Sequence, residues 1–419
     1  MDISHLIIGD GVAGASAAET IREADDDASV TILTEEGEAL YNRILIKEYA
    51  KGKLPAAPIS IHDPDWYADR DIDLRLNTHV TAIDTDVKQV ETHGGESFDY
   101  DKLLIATGGT PTQLPVENSD AEGVHHFWTF EDARHIKENA EAVETGVIVG
   151  AGLLGIDLAA ISAAQGLDAN YLMRGDAWWR YALDEEGAEI IHEALRERGV
   201  TPVFDSGVDH FETDADGHVN AAVDPNGDRF EAGFAGVAIG LDFNTEFLAD
   251  TGVETDDGVV TDEHMRTSVE DVYAAGDITQ FHDVLLGERA QNGAWGSAKE
   301  QGSIAGANMV GDWASPAESF EWVSSYSITH FDFPFLSFGH PTLGDQTVEQ
   351  SYDEQEWRRV ALKDGKVVGG VLIGDLSPQR ALKQLAQEQV DVRGRADALL
   401  AETIPVEELI AETAEATAE

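Results

Sequence analysis

The sequence predicts an α/β protein: two units of parallel, doubly wound sheet, followed by a smaller α+β domain. Three observations predict it. An apolar run that feeds a glycine-spaced turn and then a helix pattern occurs at residues 6–17 and again at 147–164. Two further buried-strand patterns, at 102–109 and 272–277, also run into glycine turns. From about Ser315 the texture changes to aromatic-rich strands (Phe331, Phe333, Phe335, Phe338), a hairpin at Lys363-Asp364-Gly365-Lys366 and a helix near 378–390.

The first unit opens with Leu6, Ile7 and Ile8, a run that reads as a buried parallel strand. It enters Gly9-Asp10-Gly11-Val12-Ala13-Gly14, and a helix pattern follows through Arg22. Gly9 permits the tight turn, Gly11 lets the backbone approach a pyrophosphate, and Gly14 lets the helix pack close to the strand. The unpaired N–H groups of the helix then face the phosphate charge. A second strand, 29–34, ends in Glu35, whose carboxylate can hold the adenosine ribose hydroxyls. These features make a Rossmann-like dinucleotide-binding unit.

Residues 40–52 follow with helix-like spacing, and 54–66, with Pro55, Pro58 and Pro64, read as loop or short turns. Strands at 72–76 and 80–83 lead to a hairpin around His93-Gly94-Gly95, and the strand 102–105 runs into Ala106-Thr107-Gly108. At Gly146 a second copy of the opening unit begins, with Gly150, Gly152 and Gly155 in the turn and a helix to about Gln165. Its next strand, 169–173, ends in Met173 and Arg174. Two such units imply two nucleotide sites. Short strands with a hairpin at Asn226-Gly227 close the second unit. A strand at 272–275 ends in Gly276 and Asp277, and the helix after it carries Trp295, Ala298, Gln301, Gly302, Ala305 and Gly306. Small residues at those spacings let it press against the sheet or a ligand. The tail, 396–419, is acidic and alanine-rich, and reads as a frayed helix or disordered.

Composition narrows the function classes. The chain of 419 residues carries 81 acidic against 27 basic residues, a formal charge of −54, spread along its length. A surface so acidic repels nucleic acid and anionic lipid. It suits a protein that stays soluble in molar salt, where screening over about 3 Å removes self-repulsion. The chain has 0 cysteines, which excludes disulfides, thiolate metal sites, cysteine-ligated clusters and a thiol redox relay. The apolar window 147–164 carries 3 glycines in the turn pattern and Asp157 in its middle, so a strand feeding a helix explains it better than a membrane span. The amino terminus shows no signal-peptide pattern, and the expected location is the cytoplasm. His125, His126, His330 and His340 are scattered without ligand spacing, so no metal centre is expected.

Taken together, the Gly9–Gly14 motif with Glu35, the Ala106-Thr107-Gly108 strand end, the Gly150–Gly155 motif and the Ala275-Gly276-Asp277 strand end resemble the FAD-dependent pyridine nucleotide-disulfide oxidoreductases. The resemblance spans residue 1 to about 390. It implies that Gly9, Gly11, Gly14 and Glu35 hold the FAD adenosine and pyrophosphate, with Thr107 and Gly108 beside them. Gly276 and Asp277 would serve the ribityl chain. Gly150, Gly152 and Gly155 would hold the nicotinamide dinucleotide. It also implies an FAD-binding domain at 1–118 and 240–314, an NAD(P)-binding domain at 119–239 and a carboxy-terminal interface domain at 315–395, beyond which lies the acidic tail, 396–419.

Within that family, Tyr41-x-Arg43-x-x-x-Lys47 is similar to the segment that rubredoxin and ferredoxin reductases and the large subunit of NAD(P)H nitrite reductase run past the flavin. Trp295-x-x-Ala298-x-x-Gln301 resembles the ferredoxin-reductase helix beside the isoalloxazine. Ferredoxin reductases pair a lysine near flavin N5 with a glutamate of the second glycine motif. Here Lys47 falls one place early by simple counting and the acid is Asp157, so a flavin-side lysine and a surface lysine both stay open. Arg174 and Arg180 are spaced like the pair by which glutathione reductases grip the 2′-phosphate of NADPH, and a guanidinium fork suits a phosphate.

The implied activity is hydride transfer from NADPH or NADH to FAD, then electron delivery to a rubredoxin- or ferredoxin-type protein or a small acceptor. An oxidase or nitrite-reductase-like subunit is the second reading, and a nicotinamide-sensing flavoprotein with little turnover is the third. No nucleic acid and no membrane insertion are expected, and a homodimer stays open.

Overall fold

The computed structural model describes residues 3–283, 285–328, 331 and 333–418; His330 lies outside them. The chain divides into two compact units. One comprises Met1–Asn42, Ser60–Thr110 and Asp242–Ser324; the other comprises Arg43–Ile59, Pro111–Leu241 and Ser325–Glu419.

In the first unit the strands Val272–Ala274, Lys102–Ile105, Ser4–Ile8, Ser29–Leu33 and Ile72–Arg75 lie in that order in a parallel sheet. From Ser4–Ile8 the chain builds outward on one side and later returns to the other. Such a reversal opens a crevice at the carboxyl ends of the strands, and the turn at Gly9 stands there. Ile7 pairs in register with both Ile32 and Leu104, and none of the three is accessible to solvent. That is why these strands read as unbroken apolar runs. An antiparallel ribbon, Val80–Asp84, Gln89–Thr92 and Ser97–Asp99, turns at the glycines that the sequence marked. Helix Trp295–Val310 lies tightly on helix Val12–Ala24: a Cβ at Gly302 would fall 2.1 Å from the Ala13 carbonyl oxygen, and one at Gly306 2.6 Å from that of Ala17.

The second unit repeats the pattern. Val200–Val203, Asp168–Leu172, Thr145–Val149, Phe234–Val237 and Val124–His126 form a parallel sheet in that order, reversing at Thr145–Val149. Helix Leu153–Gln165 follows the turn, so the apolar window is a strand and a helix. An antiparallel ribbon, His210–Thr213, Val219–Val223 and Arg229–Glu231, completes it. An antiparallel sheet ordered Ser325–Ile328, Phe335–Gly339, Lys366–Ile373, Trp357–Lys363, Gln346–Ser351 belongs to the same unit.

Several boundaries differ from the sequence reading. The helix in 40–52 is confined to Ile46–Ala50, and 54–66 holds a 3-10 turn, Ala57–Ile59, and a helix, Pro64–Ala68, capped by Asp63. Segment 43–59 belongs to the second unit, where Gln165 Nε2 donates to the Ala50 carbonyl at 2.8 Å and Tyr49 meets the Phe130 ring edge-on at 5.2 Å. The expected nicotinamide and carboxy-terminal domains share that unit because side chains lock them together. Trp178 meets Phe335 at 5.7 Å, and a Cβ at Gly187 would fall 2.9 Å from the Trp357 ring. The tail is neither frayed nor disordered through its first half. Leu409 of helix Val406–Ala418 is buried, and Arg395 pairs with Glu408 at 2.8 Å and with Glu412. Buried Arg358 donates to the carbonyls of Leu399 and Ala401 at 3.0 and 2.9 Å. Among the described residues no helix is long and apolar enough to cross a membrane.

Candidate functional site

The first glycine turn is dictated by close approach. Gly9 has φ +108°, and a Cβ there would sit 2.2 Å from the Ala106 carbonyl oxygen. A Cβ at Gly14 would sit 1.9 Å from the Gly9 carbonyl oxygen, so the helix cannot approach the strand with any side chain at that place. Beside Gly11, the N-cap of helix Val12–Ala24, a Cβ would meet nothing within 4 Å. That free space in front of the helix N–H groups fits a phosphate of a dinucleotide.

The first unit also contains Glu35, Thr107, Gly108, Gly276, Asp277 and Trp295, and a Cβ at Gly276 would fall 3.1 Å from that of Ala13 in the helix after the turn. Glu35 follows strand Ser29–Leu33 and its carboxylate meets His79 Nδ1 at 2.8 Å, a partner just before strand Val80–Asp84 that sequence reasoning missed. Thr107 is exposed just past its strand, and Gly108 has φ +64°. The Gly276 N–H donates to Gln301 Oε1 at 2.8 Å, and Thr279 Oγ1 donates to the same oxygen at 3.1 Å. Gln301 thus fixes the turn that presents Asp277. Trp295 is the first residue of helix Trp295–Val310 and half-buried.

Asp10 sits inside the turn and was not singled out from the sequence. It is 7% exposed, and both carboxyl oxygens lie within reach of the Tyr67 hydroxyl, at 2.8 and 3.0 Å. Burial raises its pKa to about 7, against the opposing effects of the Tyr67 and Leu40 hydrogen bonds. The same burial, with Asp10 alongside, raises Tyr67 far above the ordinary tyrosine range.

The second turn reproduces the first. Gly150 has φ +112°, and Cβ atoms at Gly150 and Gly155 would fall 2.0 Å from the carbonyl oxygens of Ala238 and Gly150. A Cβ at Gly152, the N-cap of helix Leu153–Gln165, would meet nothing within 4 Å. Tyr171 donates to the Gly150 carbonyl at 2.8 Å. The loop after strand Asp168–Leu172 folds back on the turn: Trp178 Nε1 donates to the Gly152 carbonyl at 3.3 Å, and the Trp179 N–H to that of Ala151 at 3.2 Å. Buried Trp178 is held in turn by its N–H on His192 Nε2, at 3.0 Å. Arg174 and Arg180 are both exposed. Arg180 crosses Gly175, whose Cβ would lie 2.7 Å from Arg180 Cδ, and donates to the Tyr181 hydroxyl at 3.1 Å. The residues of the loop that touch the turn are thus Trp178 and Trp179, which lie between the two arginines in sequence.

Lys47 is not a surface lysine. Its Nζ lies 3.3 Å from Asp157 Oδ1, with side-chain exposures of 8% and 6%. A third group completes the cluster. The Tyr326 hydroxyl reaches Asp157 Oδ2 and the Leu153 carbonyl, each at 3.4 Å, and Lys47 Nζ stands 5.9 Å from its ring centre. Burial, then Asp157, pushes Tyr326 well above its ordinary range, so it is a neutral hydroxyl. Nothing local in the sequence marks Tyr326. Arg43 Nη1 donates to the Trp128 carbonyl at 2.5 Å, and its guanidinium lies 5.1 Å from that indole's centre. Among the described residues no group of three or more metal-ligating side chains is arranged to hold an ion.

Residues 3–302 match the family model described as pyridine nucleotide-disulphide oxidoreductase. The chain is 27% identical to the NADH-rubredoxin oxidoreductase of Clostridium acetobutylicum, over 90% of this chain and 93% of that one. It is 26% identical to the nitrite reductase [NAD(P)H] of Bacillus subtilis over 92% of its own length, but 47% of the relative's. The assimilatory nitrate reductase electron transfer subunit of the same organism gives 26% identity over 92% of this chain and 49% of the relative. The chain therefore spans about half the length of those two relatives. The crystal structure of the covalent putidaredoxin reductase-putidaredoxin complex aligns with a TM-score of 0.89 and 25% identity, covering 98% of this chain and 99% of that one.

Proposed function

The chain belongs to the pyridine nucleotide-disulphide oxidoreductase family, and on that premise we propose that it is an FAD-dependent NAD(P)H oxidoreductase that passes electrons to a small redox protein of the rubredoxin or ferredoxin type. One observation carries the reading: two glycine turns of the same backbone geometry, each at the reversal point of its own parallel sheet. FAD, when bound, supplies a carrier that accepts hydride and releases electrons singly or in pairs. With 0 cysteines the chain has no thiol relay of its own, so the acceptor must take electrons from the flavin directly.

The first unit holds FAD in this reading, with Gly9, Gly11, Gly14, Thr107, Gly108 and Gly276 shaping the backbone. Glu35, held by His79, serves the adenosine ribose, and Asp277 the ribityl chain. The second unit holds the nicotinamide dinucleotide at Gly150, Gly152 and Gly155. Arg174 and Arg180 favour NADPH, because Met173 stands where a carboxylate would reject a 2′-phosphate. Lys47, Arg43 and Trp295 keep the flavin-side roles that the family resemblance implies. Asp157 and Tyr326 act as positioning residues for the Lys47 ammonium. The charge of −54 further suits work in molar salt.

A second reading, a flavoprotein subunit of a nitrite-reductase-like assembly or an oxidase, draws on the half-length match to nitrite reductase. Supplying rubredoxin, ferredoxin, nitrite reductase partner chains or dioxygen to the NAD(P)H-reduced protein separates the acceptors by rate. The FAD reading itself has a direct test. Asp277→Ala removes charged acceptor bonds worth about 1.5–3 kcal/mol each, so the variant should purify largely colourless. Full flavin occupancy in that variant refutes the assignment.

A further inference from the structure

Asp10 lies between the two glycines that shape the first turn, where the second turn carries Ala151. Its buried carboxyl is closed in by the Tyr67 hydroxyl from helix Pro64–Ala68 and by the Leu40 backbone. The charged neighbour that bears on it, Glu36, is another acid, and Glu19 bears on Tyr67 in the same sense. His62 stands 5.9 Å from the Tyr67 ring, and burial lowers its pKa. Helix Val12–Ala24 begins two residues after Asp10, and its N-terminus carries a partial positive charge. A pyrophosphate in the turn would compete with Asp10 for that partial charge.

We infer that Asp10 makes the hold on FAD proton-linked: the cofactor is kept while the Asp10 carboxyl carries its proton and loosened when that proton leaves. The inference rests on the FAD reading above. An ionised carboxylate beside a pyrophosphate is a like-charge contact in a poorly solvated place, whereas the acid form can donate a hydrogen bond there. Burial already holds Asp10 at about 7, and a bound pyrophosphate shifts it further up. Linkage then requires FAD affinity to fall as pH rises above the Asp10 pKa of the FAD-free chain, by about tenfold per pH unit. Tyr67, which donates to the carboxylate, sets where that fall begins.

The test is equilibrium dialysis of the full chain against FAD in molar salt at pH 6, 7, 8 and 9. The wild-type dissociation constant should rise by about fiftyfold between pH 7 and pH 9. Asp10→Asn should bind with one constant across the range, and Tyr67→Phe should begin its rise at higher pH. A purely structural Tyr67 would instead weaken FAD equally at every pH. A flat wild-type profile overturns the inference even if no variant folds, and so does an Asp10→Asn profile as steep as the wild type. FAD binding that is tight but pH-independent leaves the FAD reading standing, whereas no binding at any pH removes both.

Discussion

Gly9 and Gly150 take φ of +108° and +112°, and each would drive a Cβ into the carbonyl oxygen of a neighbouring strand end. Gly14 and Gly155 press equally hard on Gly9 and Gly150. The two units part company in their buried acids, Asp10 within the first turn and Asp157 in the helix that follows the second. Asp10 and Asp157 are 7% and 5% exposed, so both would be costly as lone anions. Asp10 meets the cost by holding its proton up to about pH 7, with a tyrosine for company. Asp157 meets it with the Lys47 ammonium at 3.3 Å and the Tyr326 hydroxyl. The same burial thus gives one unit a titratable group at neutral pH and the other an ion pair.

The largest effect that separates them should come from Asp157→Ala. It leaves the Lys47 charge buried without this carboxylate, and breaking such a pair costs about 3–5 kcal/mol. The double variant Lys47→Met, Asp157→Leu should recover most of that loss in denaturant unfolding. A single variant as stable as wild type would show that the pair is better solvated than its exposures of 8% and 6% imply.

Asp10→Asn should act in the opposite sense. The folded pKa of about 7 lies above the ordinary 3.8, so the folded chain binds more protons than the unfolded one between those values. Stability from this group therefore falls as pH rises from about 4 to 7, and the loss is complete above 7. The variant should match wild type near pH 4 and exceed it at pH 8 by at most about 4 kcal/mol. An equal or lower unfolding free energy at pH 8 would place Asp10 in the paired class with Asp157.

The smallest of the three effects concerns the ends of the second strands, Glu35 in one unit and Arg174 in the other. Replacing Arg174 and Arg180 together by Ala should raise the apparent constant for NADPH by about a hundredfold, roughly 3 kcal/mol from two lost charged contacts, and leave that for NADH nearly unchanged. Equal loss of both cofactors would make the two strand ends functionally alike.

Much of this was legible in the chain itself. A strand, a left-handed glycine, an open N-cap and a tight helix are set by consecutive residues, because φ, ψ and Cβ clearance are local quantities. Both sheets, both antiparallel ribbons and the Trp295–Val310 helix follow from apolar period and glycine placement. The helix within 43–59 is legible but shorter than its spacing suggests, and its place in the second unit is not legible, since it is set by what Ala50 and Tyr49 touch. Nor is the docked tail, whose acids look like a solvated coat until Arg395 is seen to receive them.

What the sequence determined alone was therefore the pair of dinucleotide turns, their order and the lack of a thiol. Only the tertiary structure decided how the buried acids are neutralised. Tyr67 lies 57 residues from Asp10, Lys47 lies 110 from Asp157, and Tyr326 lies 169 from it. Local apolar period reports none of these pairings, and the family resemblance raises Lys47 with Asp157 alone and leaves it open. They depend on which elements the fold presses together, and desolvation at that contact decides whether a carboxyl takes a proton or a partner.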